Sequence, residues 1–384
     1  MKELDQILRL WKEAEQSGES AVLATVVKTH GSSYRLPGAR LLLAFDGRRA
    51  GSISGGCLED DLVKKAYWLT ERGPVIRRYD TTPDGEIGSG FGLGCSGVIH
   101  VLLERLTPGE PTVLNVIRDA RSERRFAVIA HLIHPPPLTG QRLVIDTLGT
   151  VSHNIGDAGL EGALERESKI GLSESASRMV WVNNEVEAFI EMVSPGVRLL
   201  VFGAGDDAVP VTELAKYLGW EVWVFDGRAH YARREKFPRA DAVVVRLAGK
   251  AVAIPEIDPI AEIDKWTAAV LMSHSYSQDL EILHELAGTR LSYLGVLGPR
   301  KRTVQLLSDA GLDASLLGPT LHSPMGLDIG ADGPEQVALA VIAEIQAALN
   351  GRAGGLLRDR IGSIHSSGDA SVDPENSWLQ PTCA

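Results

Sequence analysis

The chain of 384 residues is poor in cysteine and in positive charge. It has only three cysteines, Cys57, Cys95 and Cys383. They are too few for a disulfide framework and are not spaced as zinc ligands, so we treat them as individual thiols. The formal net charge is −11, and the longest basic cluster is Arg300, Lys301 and Arg302. This shortage of positive charge argues against a nucleic acid or a membrane surface as the main partner, and favours a small molecule or a protein.

Long apolar runs are also lacking. The first twenty residues predict an amphipathic helix with Leu4, Ile7, Leu8 and Trp11 on one face, rather than a signal peptide or a membrane span. We therefore expect a cytoplasmic protein. With 44% hydrophobic and 23% charged residues, the composition is that of an ordinary globular protein, long enough for two or three domains.

The most informative motif lies in residues 199–228, whose pattern predicts a strand, a glycine turn, a helix and a second strand. Gly203 permits the tight turn, Gly205 lets the backbone approach a diphosphate, and Asp226 stands where a carboxylate meets ribose hydroxyls. Asp206 and Asp207 suit the helix dipole but would repel a diphosphate bound in the usual way. The motif therefore specifies the fold better than it specifies the ligand.

We predict an α/β fold in three parts. An N-terminal α/β domain over residues 1–193 carries two cysteine-bearing glycine-rich loops. A Rossmann-like domain with a parallel, helix-covered sheet spans residues 194–350, and a flexible tail spans 351–384. Within the N-terminal domain, the pattern predicts helices at 57–69, 113–120 and 185–192, and strands that include 20–28, 40–45, 98–103, 126–132 and 178–182.

Cys57 follows the small residues 54–56 and is predicted to begin a helix. Backbone N–H groups and a helix N-terminus lower the pKa of a thiol, and so favour the thiolate that nucleophilic or metal-ligand chemistry requires. The acidic residues 59–61 act in the opposite direction. A small buried cysteine that packs between a helix and a strand is the alternative.

Cys95 lies in the segment GLGCSG at residues 92–97. Its small residues either admit a ligand or form a tight turn into the next strand. Together, Cys57 and Cys95 are predicted to hold a soft metal centre or to pass on a sulfur atom, because both uses demand exposed thiolates. A disulfide between them is the alternative, and a reducing compartment disfavours it.

Other residues are predicted to contact the polar and anionic groups of a cofactor. Loop hydroxyls, loop N–H groups and cations suit a phosphate or a carboxylate, and His274 stands at the carboxyl end of a predicted strand, where open α/β sheets bind ligands. A structural turn or a solvated loop is the alternative for each. The predicted cofactor-binding residues are Ser32, Ser33, Arg35, Gly55, Gly56, Gly203, Gly205, Asp226, His274 and Arg300.

Six segments resemble the xanthine dehydrogenase accessory protein family. They are THGSSYRLPGAR at 29–40, GSISGGCLE at 51–59, GLGCSG at 92–97, the Rossmann segment, YLGVLGPRKR at 293–302 and PMGLDIG at 324–330. The resemblance implies a cytoplasmic homodimer that binds molybdenum cofactor (molybdopterin) and protects it during sulfuration by a cysteine desulfurase. It further implies delivery of the cofactor to an apo-subunit of a molybdenum hydroxylase, as a carrier without turnover of its own.

Two other classes of function stay open. An NAD(P)-dependent oxidoreductase would use the Rossmann crevice, with Asp226 on the ribose, Arg228 on a 2′-phosphate and His274 as the proton donor. The paired acids Asp206 and Asp207 rank this class lower. A scaffold that only contacts a hydroxylase subunit would bind no small molecule. The chain itself has neither an iron–sulfur cysteine pattern nor the length of a molybdenum hydroxylase.

Overall fold

The computed structural model describes residues 2–31, 33–81, 97–146, 148–246, 263–313 and 317–360, and Cys57 by its backbone alone. The chain divides into two compact units, Glu3–Pro195 and Gly196–Ala384, the latter with Met1–Lys2. The predicted site residues Ser32 and Cys95 lie outside the described residues, as does Cys383.

The first unit begins with helix α1 (Lys2–Gln16) and contains an antiparallel five-stranded sheet in the order β3-β2-β1-β5-β4. Helix α2 (Cys57–Leu69) covers one face through Leu58 and Leu62, as the spacing of its apolar residues dictates. The strands are β1 (Ala21–Gly31), β2 (Arg40–Ala44), β3 (Arg49–Gly51), β4 (Val75–Asp80) and β5 (Gly97–Leu106).

A second antiparallel sheet of the same unit has the order β8-β7-β6-β10-β9. Its strands are β6 (Ala127–His134), β7 (Arg142–Asp146), β8 (Val151–His153), β9 (Arg178–Val182) and β10 (Val186–Val193). Helix α3 (Val113–Ser122) packs with α1 in a core that both sheets share, and α4 (Ala158–Glu174) covers the second sheet. A short 3-10 helix, Pro136–Leu138, follows β6.

The predicted helix at 185–192 is wrong, because these residues form β10. Residues 187–191 of this strand are all buried, so the alternation typical of a half-exposed strand is absent from the sequence. Helix α4 was not predicted. Its three glycines, at 159, 162 and 171, weaken the helical signal, and packing of Leu160 and Leu164 against the second sheet stabilises the helix instead.

A buried ion cluster joins the two sheets. Glu191 of β10 lies 2.5 Å from the guanidinium of Arg40 in β2 and 3.0 Å from Nε2 of His131 in β6. Burial alone would raise the pKa of Glu191, but Arg40 and His131 outweigh it and hold the pKa at about 2. Glu191 therefore stays charged and links the two sheets through Arg40.

The second unit contains a parallel six-stranded sheet in the order β13-β12-β11-β14-β15-β16, which confirms the predicted Rossmann-like sheet. Its strands are β11 (Arg198–Phe202), β12 (Glu221–Asp226), β13 (Ala242–Val245), β14 (Thr267–Leu271), β15 (Tyr293–Val296) and β16 (Leu321–His322).

Helices cover both faces of this parallel sheet, as such sheets require. Helices α5 (Ala208–Tyr217) and α8 (Pro334–Leu349) contribute to the core on one face. Helices α6 (Tyr276–Leu286) and α7 (Arg300–Asp309) contribute to the core on the other. Two 3-10 helices, Gly318–Thr320 and Leu357–Asp359, complete the unit.

Candidate cofactor site

Three connections follow strands of the first sheet that run in the same direction. They join β1 to β2 through residues 32–39, β3 to α2 through 52–56, and β4 to β5. The antiparallel register places Gly31 opposite Gly97, whereas Gly51 lies opposite Leu41, which in turn pairs with Ala24, seven positions before Gly31. Thr81 closes the base of the third connection, because its N–H donates to the Gly97 carbonyl at 2.9 Å. Cys95 stands two positions before Gly97 in the sequence.

The first two of these loops contact each other through Glu3 and Tyr34. Arg35 donates to both carboxylate oxygens of Glu3, at 3.1 and 2.8 Å, and Glu3 also accepts the N–H of Ser52 at 2.7 Å. The ring of Tyr34 lies beside Gly55, where a Cβ would come within 3.3 Å of it. Sequence reasoning missed Glu3, because an acid in the first turn of an amphipathic helix is typical of a solvated face.

The predicted cofactor-binding residues Ser33 and Arg35 are thus held from within the protein. Ser33 is buried and its hydroxyl donates to the carbonyl of Arg35 at 3.0 Å. Arg35 is committed to Glu3 in a two-pronged ion pair. These contacts fix the shape of the loop beside α2. Anion binding by Ser33 and Arg35 stays a prediction.

Glu59 organises the loop in front of Cys57. Its buried carboxylate accepts the N–H groups of Ile53, Ser54 and Gly56, each at 2.9 Å. It also accepts the hydroxyls of Ser52 and Ser54. Burial alone would raise the pKa of Glu59, but these hydrogen bonds hold the pKa at about 2. Of the two glycines predicted to bind an external anion, Gly56 therefore donates its N–H to the chain's own carboxylate, and Gly55 donates its N–H to the Ser52 hydroxyl at 3.1 Å.

This arrangement revises what the acid next to Cys57 does. The sequence pattern indicates only a negative charge that would raise the pKa of the thiol. In the structure the charge of Glu59 is balanced by N–H and O–H donors, and the resulting cap fixes the first turn of α2, where the Cys57 backbone lies. The sequence carries a signal for this capping role of Glu59, because a glutamate at the third helical position is typical of a capping box.

Gly56 leaves open space at the entrance to α2. It has a φ of +133°, and a Cβ built on it would meet no atom within 4 Å. Among the described residues, no side chain therefore stands against the backbone just before Cys57. Loop, helix start and open space together suit the presentation of a thiolate to a bulky ligand.

In the second unit, the predicted glycine turn follows β11 as expected. Gly203 has a φ of +129°, and a Cβ there would lie 2.3 Å from the carbonyl oxygen of Met272, so only glycine fits. A Cβ on Gly205 would lie 2.4 Å from Oδ1 of Asp207. The turn has the close backbone approach of a Rossmann fold.

Asp226 at the end of β12 is buried and already engaged. It accepts the N–H of Ala204 at 2.9 Å, and the N–H, Nε and Nη2 of Arg228 at 2.8, 2.9 and 2.8 Å. Burial alone would raise its pKa, but Arg228 and these N–H groups lower it below the ordinary value. Binding of ribose by Asp226, or of a 2′-phosphate by Arg228, would have to displace this pair.

The acids at the start of α5 have cationic or histidine neighbours. Asp206 lies 2.7 Å from Nζ of Lys236, and Asp207 lies 2.8 Å from Nε2 of His274. His274 follows β14 with a left-handed φ of 55° and is largely exposed. Arg300, the first residue of α7, is exposed.

Neither a metal cluster nor a membrane span occurs among the described residues. In that part of the chain, no three or more histidine, cysteine, aspartate or glutamate side chains are arranged to hold a metal ion. No helix among the same residues has the length and apolar character needed to cross a membrane.

Comparisons with known proteins identify the second unit as a Rossmann domain of a particular class. The family model described as XdhC Rossmann domain matches residues 199–345, and the model described as XdhC and CoxI family matches residues 14–80. The chain belongs to the XdhC and CoxI family, as the sequence motifs predicted.

Similar proteins extend over most of the chain. A probable xanthine dehydrogenase subunit of Bacillus subtilis (strain 168) is 33% identical over 328 residues, covering 85% of this chain and 92% of the relative. The molybdenum cofactor insertion chaperone PaoD of Escherichia coli (strain K12) is 26% identical, covering 88% and 86%. A crystal structure of a xanthine dehydrogenase from Bacillus halodurans matches with a TM-score of 0.70 at 28% identity, covering 90% and 96%.

Proposed function

We propose that this protein binds molybdenum cofactor and delivers it to an apo-subunit of a xanthine-dehydrogenase-type molybdenum hydroxylase. A cysteine desulfurase sulfurates the cofactor while it is held, and the carrier acts as a cytoplasmic homodimer without turnover of its own. The names of two relatives, one a molybdenum cofactor insertion chaperone and the other a probable xanthine dehydrogenase subunit, support this proposal.

The observation that carries the proposal is the loop before Cys57, which Glu59 holds in place at the start of α2. The connection before Cys57 and the β4–β5 connection, whose sequence includes Cys95, follow strands that run in the same direction in the first sheet. In this proposal Cys57 and Cys95 come together as thiolates, which suit a soft metal or a transferable sulfur. A large ligand would reach Cys57 past Gly56, where the described residues leave open space.

Each group of the chain has a distinct task in this proposal. Cys57 and Cys95 contact the molybdenum or its sulfur, and Glu59 holds the loop that presents Cys57. Glu3 and Arg35 fix the neighbouring loop against it. Because the loop N–H groups at 53, 54 and 56 are committed to Glu59, the anionic part of the cofactor binds elsewhere.

Cofactor loading tests the proposal. The wild type and the variants Cys57→Ala and Cys383→Ala are purified from cells that make molybdenum cofactor, and bound molybdenum and pterin are measured per chain. We expect the wild type and Cys383→Ala to carry both, and Cys57→Ala to carry less by about tenfold or more, as when a metal site loses a partner. Absence of pterin from the wild type, or equal loading of Cys57→Ala, would contradict the proposal.

No observation favours the NAD(P)-dependent oxidoreductase as a second candidate. Its ribose ligand would be Asp226, whose two oxygens already accept N–H groups of Arg228 and Ala204. That alternative therefore stays a prediction from the glycine motif alone.

A further inference from the structure

A cavity of about 320 Å³ lies in the first unit, apart from the loops described above. Side chains of both sheets line it: Lys28 of β1 and His100 of β5 come from the first sheet, and Glu187 of β10 from the second. Its volume is at the lower end of the range for small-molecule sites, enough for a fused two-ring heterocycle.

One wall of the cavity carries a carboxylate and an ammonium side by side. Nζ of Lys28 donates to Oε1 of Glu187 at 2.5 Å, and their side chains are only 20% and 10% exposed. A carboxylate has two oxygens and an ammonium has three hydrogens, so this single contact exhausts neither group. The pair can therefore offer acceptors and a donor to a ligand at adjacent positions.

His100 adds a polar atom without a partner. Its Nδ1 is buried and makes no hydrogen bond within the described part of the chain. Burial lowers the pKa of His100, and the charges of Lys28, His30 and Arg78 lower it further. The ring is therefore neutral at neutral pH, with one nitrogen that donates and one that accepts.

The remaining walls are apolar. Val75 and Ile76 of β4 and Ile133 of β6 line the cavity, and Ile76 and Ile133 also belong to the small core where the two sheets meet. A flat ring with a polar edge suits such a site, because apolar walls cover its faces while a few polar groups fix its orientation.

We propose that this cavity binds the 2-amino-4-oxopyrimidine edge of a fused heterocycle, supplied by the pterin of the molybdenum cofactor. Glu187 accepts the ring N3–H and the 2-amino group, Lys28 donates to the 4-oxo group, and His100 bonds a ring nitrogen. The inference rests on the proposed function and assigns the pterin a subsite. Guanine shares the same edge, so the test includes both compounds.

The polar wall of the cavity lies near one end of the first sheet. Lys28 pairs with His100 across β1 and β5, three residues from the pair Gly31 and Gly97 at that end of the sheet. Three residues of strand span about 10 Å. In this proposal a pterin held at Lys28 and Glu187 extends toward that end of the sheet, where the β4–β5 connection, whose sequence includes Cys95, leaves it.

Binding of simple compounds to the full chain tests this subsite. Pterin, guanosine and lumazine are titrated into the wild type, with pterin followed by its own fluorescence and the others by competition. Lumazine has an oxo group where pterin has the 2-amino group, so it places an acceptor against Glu187. We expect pterin to bind about tenfold or more tightly than lumazine, because the mismatch leaves buried polar groups unpaired.

Variants check the assigned residue. Glu187→Gln removes the charge and places an amide N–H₂ against ring donors, so we expect it to lose about tenfold or more of the pterin affinity. Glu185→Gln, a neighbouring exposed acid outside the cavity, should bind as the wild type does. Thermal unfolding of both variants shows whether they fold. If Glu187→Gln does not fold, the comparison of pterin with lumazine in the wild type still tests the subsite.

The outcomes separate this inference from the proposed function. Equal affinity for pterin and lumazine, or unchanged pterin binding in a folded Glu187→Gln variant, would overturn the subsite. If molybdenum and pterin still copurify with the wild type in that case, the proposed function stands and only the subsite falls. Guanosine binding with the same dependence on Glu187 supports the edge recognition and assigns the site to a base as well as a pterin.

Discussion

Buried carboxylates hold the functional segments of this protein in place. Glu59 accepts hydrogen bonds from the N–H groups of the loop before Cys57. Glu191 joins the two sheets through its ion pair with Arg40, and Asp226 accepts an N–H of the turn after β11. In each case donors from the chain itself compensate the negative charge. Asp226, which the sequence predicts as a ribose ligand, and Glu59, predicted to raise the pKa of the Cys57 thiol, therefore both stabilise the structure.

Glu59→Gln tests this role through pH. Because the pKa of Glu59 falls from 4.5 to about 2 on folding, its charge stabilises the fold above pH 4.5, and this contribution is lost as the pH falls toward 2. We expect the variant to lose about 2–3 kcal/mol at pH 7 in urea unfolding, and the gap to the wild type to shrink between pH 4.5 and 2.

Asp60→Asn is the matched control for Glu59→Gln. Asp60 is the next residue on the same helix, and its side chain is exposed. A surface acid of this kind contributes within about 0.5 kcal/mol. A gap between wild type and Glu59→Gln that is the same at pH 7 and pH 2 would contradict an anchoring role for the charge.

At the scale of elements, the turn between β11 and α5 sets the geometry of the second unit. Gly203 brings its backbone against Met272 after β14, where no Cβ fits. The side chain of Asp226 then bonds Ala204 at the following position. Three neighbouring strands of the sheet are thereby joined at their carboxyl ends.

Gly203→Ala should destabilise the second unit strongly. Its Cβ would lie 2.3 Å from a backbone carbonyl, so we expect a loss of about 3 kcal/mol or more in chemical unfolding. Gly288→Ala separates this clash from backbone strain, because Gly288 also has a positive φ, of +85°, but open space around it. The control should lose about 1 kcal/mol. Equal losses would show that the contact with Met272 does not matter.

At the scale of the whole molecule, each unit has a core of its own. In the second unit, helices α5 and α8 bury Val211 and Val341 on one face of the sheet, while α6 and α7 bury Leu283 and Leu306 on the other. A sheet covered on both faces has the layers that an independently folding domain needs.

A fragment of residues 196–360 should therefore fold alone. We expect helical circular dichroism and a single cooperative unfolding transition. A shorter fragment of residues 196–332 lacks α8, and so exposes the core face that Ala338, Val341 and Ile345 cover. It should lose the cooperative transition. A fragment 196–360 without cooperative unfolding would show that its stability depends on the rest of the chain.

Local patterns in the sequence determined much of this protein. The glycine turn with Asp226 specified the Rossmann unit, and the bounds of α2 agree with the predicted helix at 57–69 because helix starts and periodic apolar residues are local signals. The motifs around Gly55, Cys57 and Gly203 also indicated the family.

Only the tertiary structure decided that β10 is a strand and which partners the polar side chains take. Strand β10 is buried on both faces, so its residues carry no period that separates a strand from a helix. The pairs of Glu59 with its loop, Arg35 with Glu3, and Lys28 with Glu187 depend on how strands align across the sheets. Such contacts join residues up to 159 positions apart in the sequence. A local sequence pattern cannot predict them, because only the folded chain brings such distant residues together.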